Sequence, residues 1–250
     1  MFVKLAENLK PPPKRIGTHY GKTRIAAGRV CRQELIGQIA IGVAHEIRNP
    51  LTVIKGYLQF LEHKPASRLP ETLDIILQEV DRIEALLADF ISVARNKAIV
   101  KKPENLNRIL EEYYPVMAAY AASYSIAVEL SLGERIPVLD LSQPEIQQLV
   151  MHLVRNGVEA MPAAGRLAVG TVREAGVVVL YIRDEGIGIP AEQLERIFDP
   201  FYTTKAGSTG LGLAIVLGIA ERHQGKIEIL SQVNVGTTLR ILFPISRAQL

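Results

Sequence analysis

The sequence predicts an α+β protein in which a helical hairpin is followed by an α/β sandwich. In the first hundred residues, apolar side chains recur every three or four positions in two long runs, and a short proline-containing stretch separates them. After Pro103 the spacing changes, and short β-branched runs are interleaved with helical ones. Strands with interleaved helices indicate a sheet that carries its helices on one face.

Composition limits the class of protein. With 250 residues, of which 48% are hydrophobic, the chain can bury one large core or two modest ones. No apolar run approaches the ~18 residues of a membrane span, and no charged-then-apolar leader opens the sequence. The single cysteine, Cys31, excludes a disulfide framework and a cysteine zinc site and fits a reducing cytosol. The net charge of +3 is too small to indicate a nucleic-acid partner.

Positive charge is concentrated in residues 1–35, which hold eight basic and two acidic residues and carry +6, against −3 for the remainder. Prolines and glycines interrupt residues 9–24, which predicts a loop or disordered arm. A basic segment before a helix fits a position beneath a membrane, any anchor being supplied by upstream segments absent from the chain. It fits equally a flexible arm or a remnant of an expression tag. Residues 1–33 are therefore expected to be a basic linker or arm.

Two amphipathic helices are predicted, one over residues 34–62 and one from residue 71. Their apolar positions are Ile36, Ile39, Val43, Ile47, Leu51, Ile54, Leu58 and Leu61 in the first and Leu73, Ile76, Val80, Ile83, Leu87 and Phe90 in the second. A lone hairpin leaves much of this surface wet, so two copies are expected to pair into a four-helix bundle, making residues 34–98 a homodimerisation domain. The alternative is that the hairpin packs against the second half of its own chain.

The stretch AHEIRNPLT places His45 beside the carboxylate of Glu46 on the first helix. His45 lies two residues, or about 200° around a helix, from the nearest seam residue on either side, so it is expected to face solvent. Asn49 lies one turn further on the same face, and Pro50 is expected to bend or loosen the helix. An exposed histidine with an adjacent carboxylate suits a nucleophile, although an ordinary surface or core histidine is the alternative. The zinc motif H-E-x-x-H does not apply, because Asn49, a poor zinc ligand, stands in place of its second histidine.

Residues 99–250 predict the sandwich. The predicted helices are 105–121, 144–161, a short one at 191–198, and 210–225 with Gly225 as its stop; the predicted strands are 126–131, 166–172, 177–185, 226–231 and 237–243.

Three clusters in this half carry the candidate chemistry. Asn156 and Glu159 share one face of a predicted helix. The stretch DEGIGIP follows a strand, and Gly186 and Gly188 let the backbone approach a flat ligand closely. The stretch GSTGLGL leads into a helix N-terminus, whose free amides favour phosphate. Each cluster alone is more often a turn, a cap or a surface feature, and neither glycine run completes a P-loop or G-x-G-x-x-G motif.

In this order, AHEIRNPLT, RNGVEAM, DEGIGIP, FDPFYTTK and STGLGLAI resemble the motifs of sensor histidine kinases, in particular the sporulation-type kinases. The resemblance runs from about residue 35 to residue 244. It implies a dimerisation and phosphotransfer domain at 34–98 and an ATP-binding domain of the histidine kinase and chaperone ATPase type at 99–250. It also implies autophosphorylation with ATP and Mg²⁺, transfer of the phosphoryl group to a response regulator, and sporulation as one candidate process.

The resemblance implies roles for individual residues. His45 is the expected phosphoacceptor, Glu46 is its base, and Asn49 completes an acid-x-x-Asn pattern for dephosphorylating the regulator. Asn156 is the expected magnesium ligand, with Glu159 nearby. The further nucleotide contacts that it implies are Arg155, Asp184 for the adenine amino group, Gly186 and Gly188 for the adenine pocket, Lys205 in a mobile lid from Phe198 to Gly207, Gly210, Leu211 and Gly212 for the phosphate tail, and Thr238.

One position departs from the family pattern. His152 stands four residues before Asn156, where asparagine is usual. A neutral histidine offers one donor and one acceptor on a bulkier ring, which puts the ATP affinity or its pH dependence in question. Arg155 stands where lysine is common and keeps the positive charge for phosphate.

The resemblance places a receiver domain near His45, allows a protein inhibitor on the hairpin, and implies the catalytic core of a longer protein. Two other functions stay open. One is a nucleotide-regulated dimeric scaffold without efficient phosphorylation. The other is an ATPase like the related chaperone and mismatch-repair enzymes, with Glu159 as base, although those enzymes have no histidine hairpin.

Overall fold

A helical hairpin followed by sheets with interleaved helices makes up the part of the chain that the computed structural model describes, residues 21–24, 32–62, 69–94, 99–205 and 208–245. The helices are Arg32–Glu62 (α1), Leu69–Ala94 (α2), Leu106–Ala122 (α3), Gln143–Ala160 (α4) and Gly212–Arg222 (α5). The strands are Gly21–Arg24 (β1), Lys102–Asn105 (β2), Ile126–Ser131 (β3), Val138–Leu141 (β4), Gly165–Glu174 (β5), Val177–Arg183 (β6), Lys226–Gln232 (β7) and Gly236–Pro244 (β8). The predicted fold class, hairpin before α/β sandwich, is confirmed.

The described residues belong to two compact units. The helical unit contains α1, α2 and residues 198–215, and the sandwich unit contains β1, residues 99–197 and residues from 216 onward. The sequence predicts a single boundary between residues 98 and 99. The compact units also divide there, and residues 198–215 group with the helical unit.

In the helical unit, α1 and α2 bury only part of their apolar surface against each other. Val43 and Leu86 are buried. Leu51 and Leu58 of α1 are half exposed. The exposed apolar residues of α2 are Leu73, Leu77, Val80, Leu87 and Ile91. None of the helices in the described part of the chain is long and apolar enough to cross a membrane.

The helix α1 continues through Pro50. The side chain of Pro50 is buried, and α1 extends twelve further residues to Glu62. The hydroxyl of Thr52 donates to the carbonyl of Arg48 at 2.8 Å, a back-bond that is typical of slightly bent helices. Pro50 has no N–H for the carbonyl four residues earlier, but packing keeps the segment helical.

The main sheet has the strand order β1-β7-β8-β6-β5-β3. Its β3–β5 pair is parallel and its other pairs are antiparallel, while β2 and β4 form a separate antiparallel pair. Three contacts show which face of the sheet the helices cover. Asn107 of α3 bonds Thr171, Gly157 of α4 lies against Leu167, and His223, the residue after α5, packs against Phe243. These side chains share one face of the sheet, because positions along a strand alternate and Thr171, Leu180 and Ile241 are register partners. The helices therefore lie on one face of the sheet, as the sequence predicts.

Several segments differ from the sequence expectation. Residues 102–105 and 138–141, for which the sequence predicts no strand, form β2 and β4. Residues 21–24, predicted as part of a loop, form the edge strand β1, which pairs with β7 from Gly21 opposite Ser231. Residues 191–198, predicted as a short helix, contain one 3₁₀ turn at Ala191–Gln193 and further turns. A run this short has too few turns to offset the cost of starting a helix. The helix α5 begins at Gly212, two residues after the predicted start.

We predict that Asn107→Ala destabilises the sandwich unit by about 1–3 kcal/mol, because two polar groups lose their partners. The Oδ1 atom of Asn107 accepts from the hydroxyl of Thr171 at 2.6 Å, and its Nδ2 donates to the carbonyl of Gly133 at 3.0 Å. Urea unfolding followed by tyrosine fluorescence measures the change. The control is Arg108→Ala, which removes only an exposed ion pair with Glu112 and should not shift the transition. Equal effects of the two substitutions would contradict the prediction.

Candidate functional site

The helix α4 carries four of the predicted site residues. Its apolar face is buried, and Asn156 and His152, one turn apart, are half-buried beside that face. Arg155 and Glu159 are exposed. Because positions i, i+4 and i+7 of a helix lie nearly in line, His152, Asn156 and Glu159 form one row along α4.

The contact at Gly157 brings this row to the end of β6. A Cβ atom at Gly157 would lie 2.5 Å from Cδ1 of Leu167 on β5 and 3.4 Å from Cβ of Asp184. Only a residue without a side chain permits this approach. Asp184 therefore lies directly beside the residue that follows Asn156.

Asp184 is buried and is held by backbone amides. Its Oδ1 atom accepts from the N–H of Gly186 at 2.9 Å and from the N–H of Thr237 at 3.2 Å. Its own N–H donates to the carbonyl of Thr237 at 2.9 Å. These bonds fix the carboxylate at the junction of β6 and β8.

The loop after Asp184 lies against the end of α4 and the β7–β8 turn. The N–H of Ile187 donates to the carbonyl of Ala160 at 3.0 Å, and the carbonyl of Ile187 accepts from Asn234 at 2.8 Å. Gly188 has a φ of +68° and lies so close to the carbonyl of Gln232 that a side chain could not be placed there. The predicted glycine requirement of this loop thus has a structural cause, and the side chain of Ile187 remains exposed.

Thr237, which the sequence analysis does not select, is the threonine beside Asp184. Its side chain is buried, and its hydroxyl lies 2.9 Å from that of Ser231, which also accepts from the N–H of Ile189 at 2.8 Å. Thr238, the predicted contact, alternates to the opposite face of β8. The alternation of side chains along a strand distinguishes Thr237 from Thr238 only when the register of β8 is known.

Arg155 lies against α3. Its guanidinium carbon is 5.6 Å from the ring centroid of Tyr120, within the range of a cation–π interaction. Burial, the hydrogen bond with Tyr124 and the charge of Glu159 raise the pKa of Tyr120, and Arg155 acts in the opposite direction. The sequence predicts that Arg155 supplies positive charge for phosphate, whereas in the structure its guanidinium group lies over the Tyr120 ring.

Burial lowers the pKa of His152 to about 4, and the nearby positive charge of Arg155 acts in the same direction. Desolvation disfavours the charged imidazolium, so the ring is neutral at pH 7. His152 therefore adds no titrating group in the neutral pH range.

The phosphoacceptor candidate lies in the helical unit. His45 is in the middle of α1, and its side chain lies outside the described residues. Glu46 is half-buried. Asn49 is exposed and lies one turn from His45, on the same face of α1. The predicted solvent-facing position of the His45 ring stays a prediction.

The predicted lid and phosphate-tail residues also lie in the helical unit. The N–H of Phe201 donates to the carbonyl of Gly210 at 3.1 Å, which closes the base of the segment. The N–H of Lys205 donates to the hydroxyl of Thr203 at 3.0 Å. Leu211 is buried and its N–H donates to the hydroxyl of Thr209 at 3.3 Å, just before α5 begins at Gly212. The last two residues of the predicted lid, 206–207, lie outside the described residues.

The donor set of α4 fits a magnesium ion that arrives with a nucleotide. The described residues contain no group of three or more His, Cys, Asp or Glu side chains that could hold a metal ion. Magnesium takes few protein ligands, keeps several waters and binds substrate phosphates. A half-buried Asn156 with Glu159 one turn away meets this requirement.

Two family models match the chain in sequence. The model for the His Kinase A (phospho-acceptor) domain matches residues 36–99, and the model for the histidine kinase-, DNA gyrase B-, and HSP90-like ATPase matches residues 142–247. Together they account for most of the chain. They match its two halves in the order that the motifs predict.

Similar proteins include sporulation kinases C and A of Bacillus subtilis (strain 168). Identity is 34% and 37% over 212 residues, covering 84% of this chain and 49% and 35% of the relatives, so the chain spans half of their length or less. Among solved structures, the histidine kinase ThkA in complex with the response regulator TrrA is similar with a TM-score of 0.70. Its identity is 24%, over 88% of this chain and 66% of that one, a likeness that shows the fold.

We predict that the His152 ring titrates near pH 4 and is neutral throughout pH 6–8, as histidine-labelled NMR would measure. An unfolded histidine has a pKa of about 6.5. Between these values the unfolded chain binds a proton that the folded chain does not, so stability rises with pH from about 4 to 6.5 and is constant above. His152→Asn should therefore lose less stability than the wild type when the pH falls from 7 to 5. A titration midpoint at the ordinary histidine value would refute the prediction that the ring is desolvated.

Proposed function

Because the chain belongs to the histidine kinases, whose phosphoacceptor and ATP-binding domains it carries in order, we propose that it phosphorylates itself on His45 with ATP. In this proposal residues 34–98 are the dimerisation and phosphotransfer domain, residues 99–250 are the ATP-binding domain, and residues 1–33 are a linker or arm. The phosphoryl group then passes from His45 to an aspartate of a response regulator.

The observation that carries the proposal is the position of Asp184 beneath α4. A buried carboxylate with one oxygen held by two amides lies beside the helix that bears Asn156. Such a carboxylate suits the adenine amino group, and Asn156 on the adjoining row suits the phosphate end of the same ligand. Gly186 and Gly188 bring backbone close to the flat base. We substitute Thr237 for Thr238 as the threonine of this pocket.

The chemical step is an in-line displacement at the γ-phosphorus. A lone pair of the His45 ring forms the new N–P bond, the bond from that phosphorus to the bridging oxygen breaks, and ADP leaves. Glu46, adjacent on α1, accepts the ring proton. In the second step the phosphoryl group moves from the ring nitrogen to an aspartate oxygen of the regulator.

Charge on the phosphates must be neutralised for this step. Magnesium held by Asn156, with Glu159 nearby, would screen that charge when bound. We assign Lys205, Gly210, Leu211 and Gly212 to the phosphate end, since a helix N-terminus and a lysine both favour anions. Arg155 and His152 flank the row on α4, with the neutral His152 ring limited to hydrogen bonding.

The hairpin is proposed to dimerise. One chain leaves Leu51, Leu58 and the apolar stripe of α2 in contact with water. Exposed contiguous apolar surface of this kind marks an interaction site. A second copy that adds two helices would cover it as a four-helix bundle.

We place the partner docking surface around His45 and Asn49. ThkA, a structural neighbour, forms a complex with a response regulator, which supports a receiver domain as partner. The relatives named sporulation kinases support sporulation as one process, and a protein inhibitor on the hairpin remains part of the proposal. Because the reaction consumes ATP, this part of the protein is expected in the cytoplasm, with any membrane anchor lying upstream.

We predict that His45→Gln abolishes phosphorylation, and that Asn156→Ala reduces it at least about tenfold by removing the cation ligand. Both variants should still dimerise, since each changes a single side chain away from the exposed apolar stripe. The assay incubates the purified protein with ATP labelled at the γ-phosphate. Wild type should acquire acid-labile, base-stable label, and His45→Gln should acquire none.

The same assay separates the alternatives. Labelled phosphate released without labelled protein would indicate an ATPase. Nucleotide binding with neither product would indicate a scaffold. Either result for the wild type overturns the kinase proposal.

We also predict that Asn49→Ala keeps autophosphorylation but lowers dephosphorylation of the regulator about tenfold. The exposed carboxamide lies one turn from His45, where it can orient a water for attack on the acyl phosphate. The measurement follows loss of phosphate from a purified phosphorylated regulator. The control is Lys55→Ala, an exposed change on another face of α1. Equal decay rates for Asn49→Ala and Lys55→Ala would leave Asn49 without this role.

A further inference from the structure

His223 is a buried histidine that the proposed chemistry does not use. It follows Arg222, the last residue of α5, and the chain then turns through Gln224, which has a φ of +57°. The N–H groups of Gln224 and Gly225 donate to the carbonyls of Glu221 and Ala220 at 2.9 and 2.7 Å. This pair of bonds is a Schellman motif with His223 as the C-cap, so the residue in the left-handed conformation is Gln224 and not the predicted stop, Gly225.

Both ring nitrogens of His223 are engaged. Nδ1 lies 2.8 Å from the carbonyl of Ile219, and Nε2 lies 3.0 Å from the backbone nitrogen of Ser142. The carbonyl can only accept and the amide can only donate, so Nδ1 carries the hydrogen and Nε2 accepts. The ring packs edge-on against Phe243 of β8, with centroids 6.3 Å apart. A neutral ring of this one tautomer satisfies every polar contact.

The amide that His223 accepts from belongs to the N-cap of α4. The run Ser142 to Glu145 has the S-x-x-E pattern of a capping box, in which the glutamate would bond the N-cap amide. In the structure the side chain of Ser142 makes no cap bond. Glu145 instead receives Arg222, whose Nε lies 2.9 and 3.2 Å from its two oxygens. The capping bonds within α4 are therefore not made, and Arg222 and His223 instead bond the start of α4 to the end of α5.

We propose that His223 is a positioning residue of the nucleotide site: through the N-cap of α4 it fixes the helix that carries Asn156 to the end of α5. The inference rests on the proposed function, since it concerns the binding of a magnesium nucleotide. Asn156 lies fourteen residues after Ser142, about 21 Å along a rigid helix, so a displacement at the cap is carried to it.

Protonation of His223 opposes this arrangement. Nε2 would then carry a hydrogen directed at the N–H of Ser142, and two donors would face each other. The charged groups around the ring are Glu145 on α4, Arg222 beside it and Lys101 ahead of β2. Burial lowers the pKa of His223, Lys101 and Arg222 act in the same direction, and the Ile219 carbonyl and Glu145 oppose them. Protonation therefore breaks the hydrogen bond that attaches the N-cap of α4 to His223, while the ion pair between Arg222 and Glu145 stays in place.

The experiment measures the affinity for Mg-AMPPNP by calorimetry from pH 5.5 to 8 in wild type, His223→Gln and His223→Leu. Glutamine can accept from Ser142 without titrating, and leucine can fill the space without accepting. We expect the leucine variant to bind about fivefold more weakly at pH 8, the value of one lost hydrogen bond. We expect the glutamine variant to restore most of the affinity. The ratio of glutamine-variant to wild-type affinity should rise as the pH falls toward the lowered pKa of His223, and titration of the nucleotide itself cancels in that ratio.

Hydrogen exchange at the Ser142 amide supplies the second readout. The amide should be protected in wild type and the glutamine variant and should exchange rapidly in the leucine variant. If the Ser142 amide is unprotected in the leucine variant but its affinity equals that of the wild type, the His223–Ser142 hydrogen bond has a structural role only and the inference is wrong. An affinity ratio that does not change with pH would also overturn the inference, while leaving the kinase proposal intact. If wild type binds no Mg-AMPPNP at any pH, the proposed function and the positioning role fail together.

Discussion

The close approach of α4 to the sheet at Gly157 is the contact on which the sandwich unit's polar features depend. Because no side chain intervenes, the helix lies directly over Leu167 and beside Asp184. That distance sets where the row of His152, Asn156 and Glu159 stands relative to the buried carboxylate. A methyl group at this position would overlap Cδ1 of Leu167 in the present packing, so the Leu167 side chain or the helix would have to shift.

Buried polar groups next to this contact are satisfied by backbone rather than by solvent. The amides of Gly186 and Thr237 hold Asp184, the carbonyl of Ala160 holds the loop after it, and Ser231 holds the start of the following segment. Each of these groups would cost free energy if left unpaired. These bonds hold Asp184 and the loop after it in one arrangement.

The helical unit obeys a different constraint. Its two helices bury Val43 and Leu86 but leave several large apolar residues, among them Leu58 and Leu77, exposed to water. Hydrophobic burial is the main driving force for such helices, so one hairpin does not complete its own core. The chemistry proposed for His45 and Asn49 thus lies on a hairpin whose exposed apolar surface the proposed dimer would cover, whereas the sandwich encloses its core within one chain.

The sequence by itself determined α1 to α5 and the strands β3, β5, β6, β7 and β8 in their order, because apolar spacing of two or of three to four reports which face of a local segment is buried. It also selected Asn156, Asp184 and the glycine loop as candidate site residues, since their motifs are local. Tertiary structure alone decided that Thr237 meets Asp184, that His223 caps α4 and that β1 pairs with β7. The first two contacts join residues 53 and 81 positions apart. No local pattern encodes such pairs, because they depend on strand register and helix placement that packing of the whole sandwich sets.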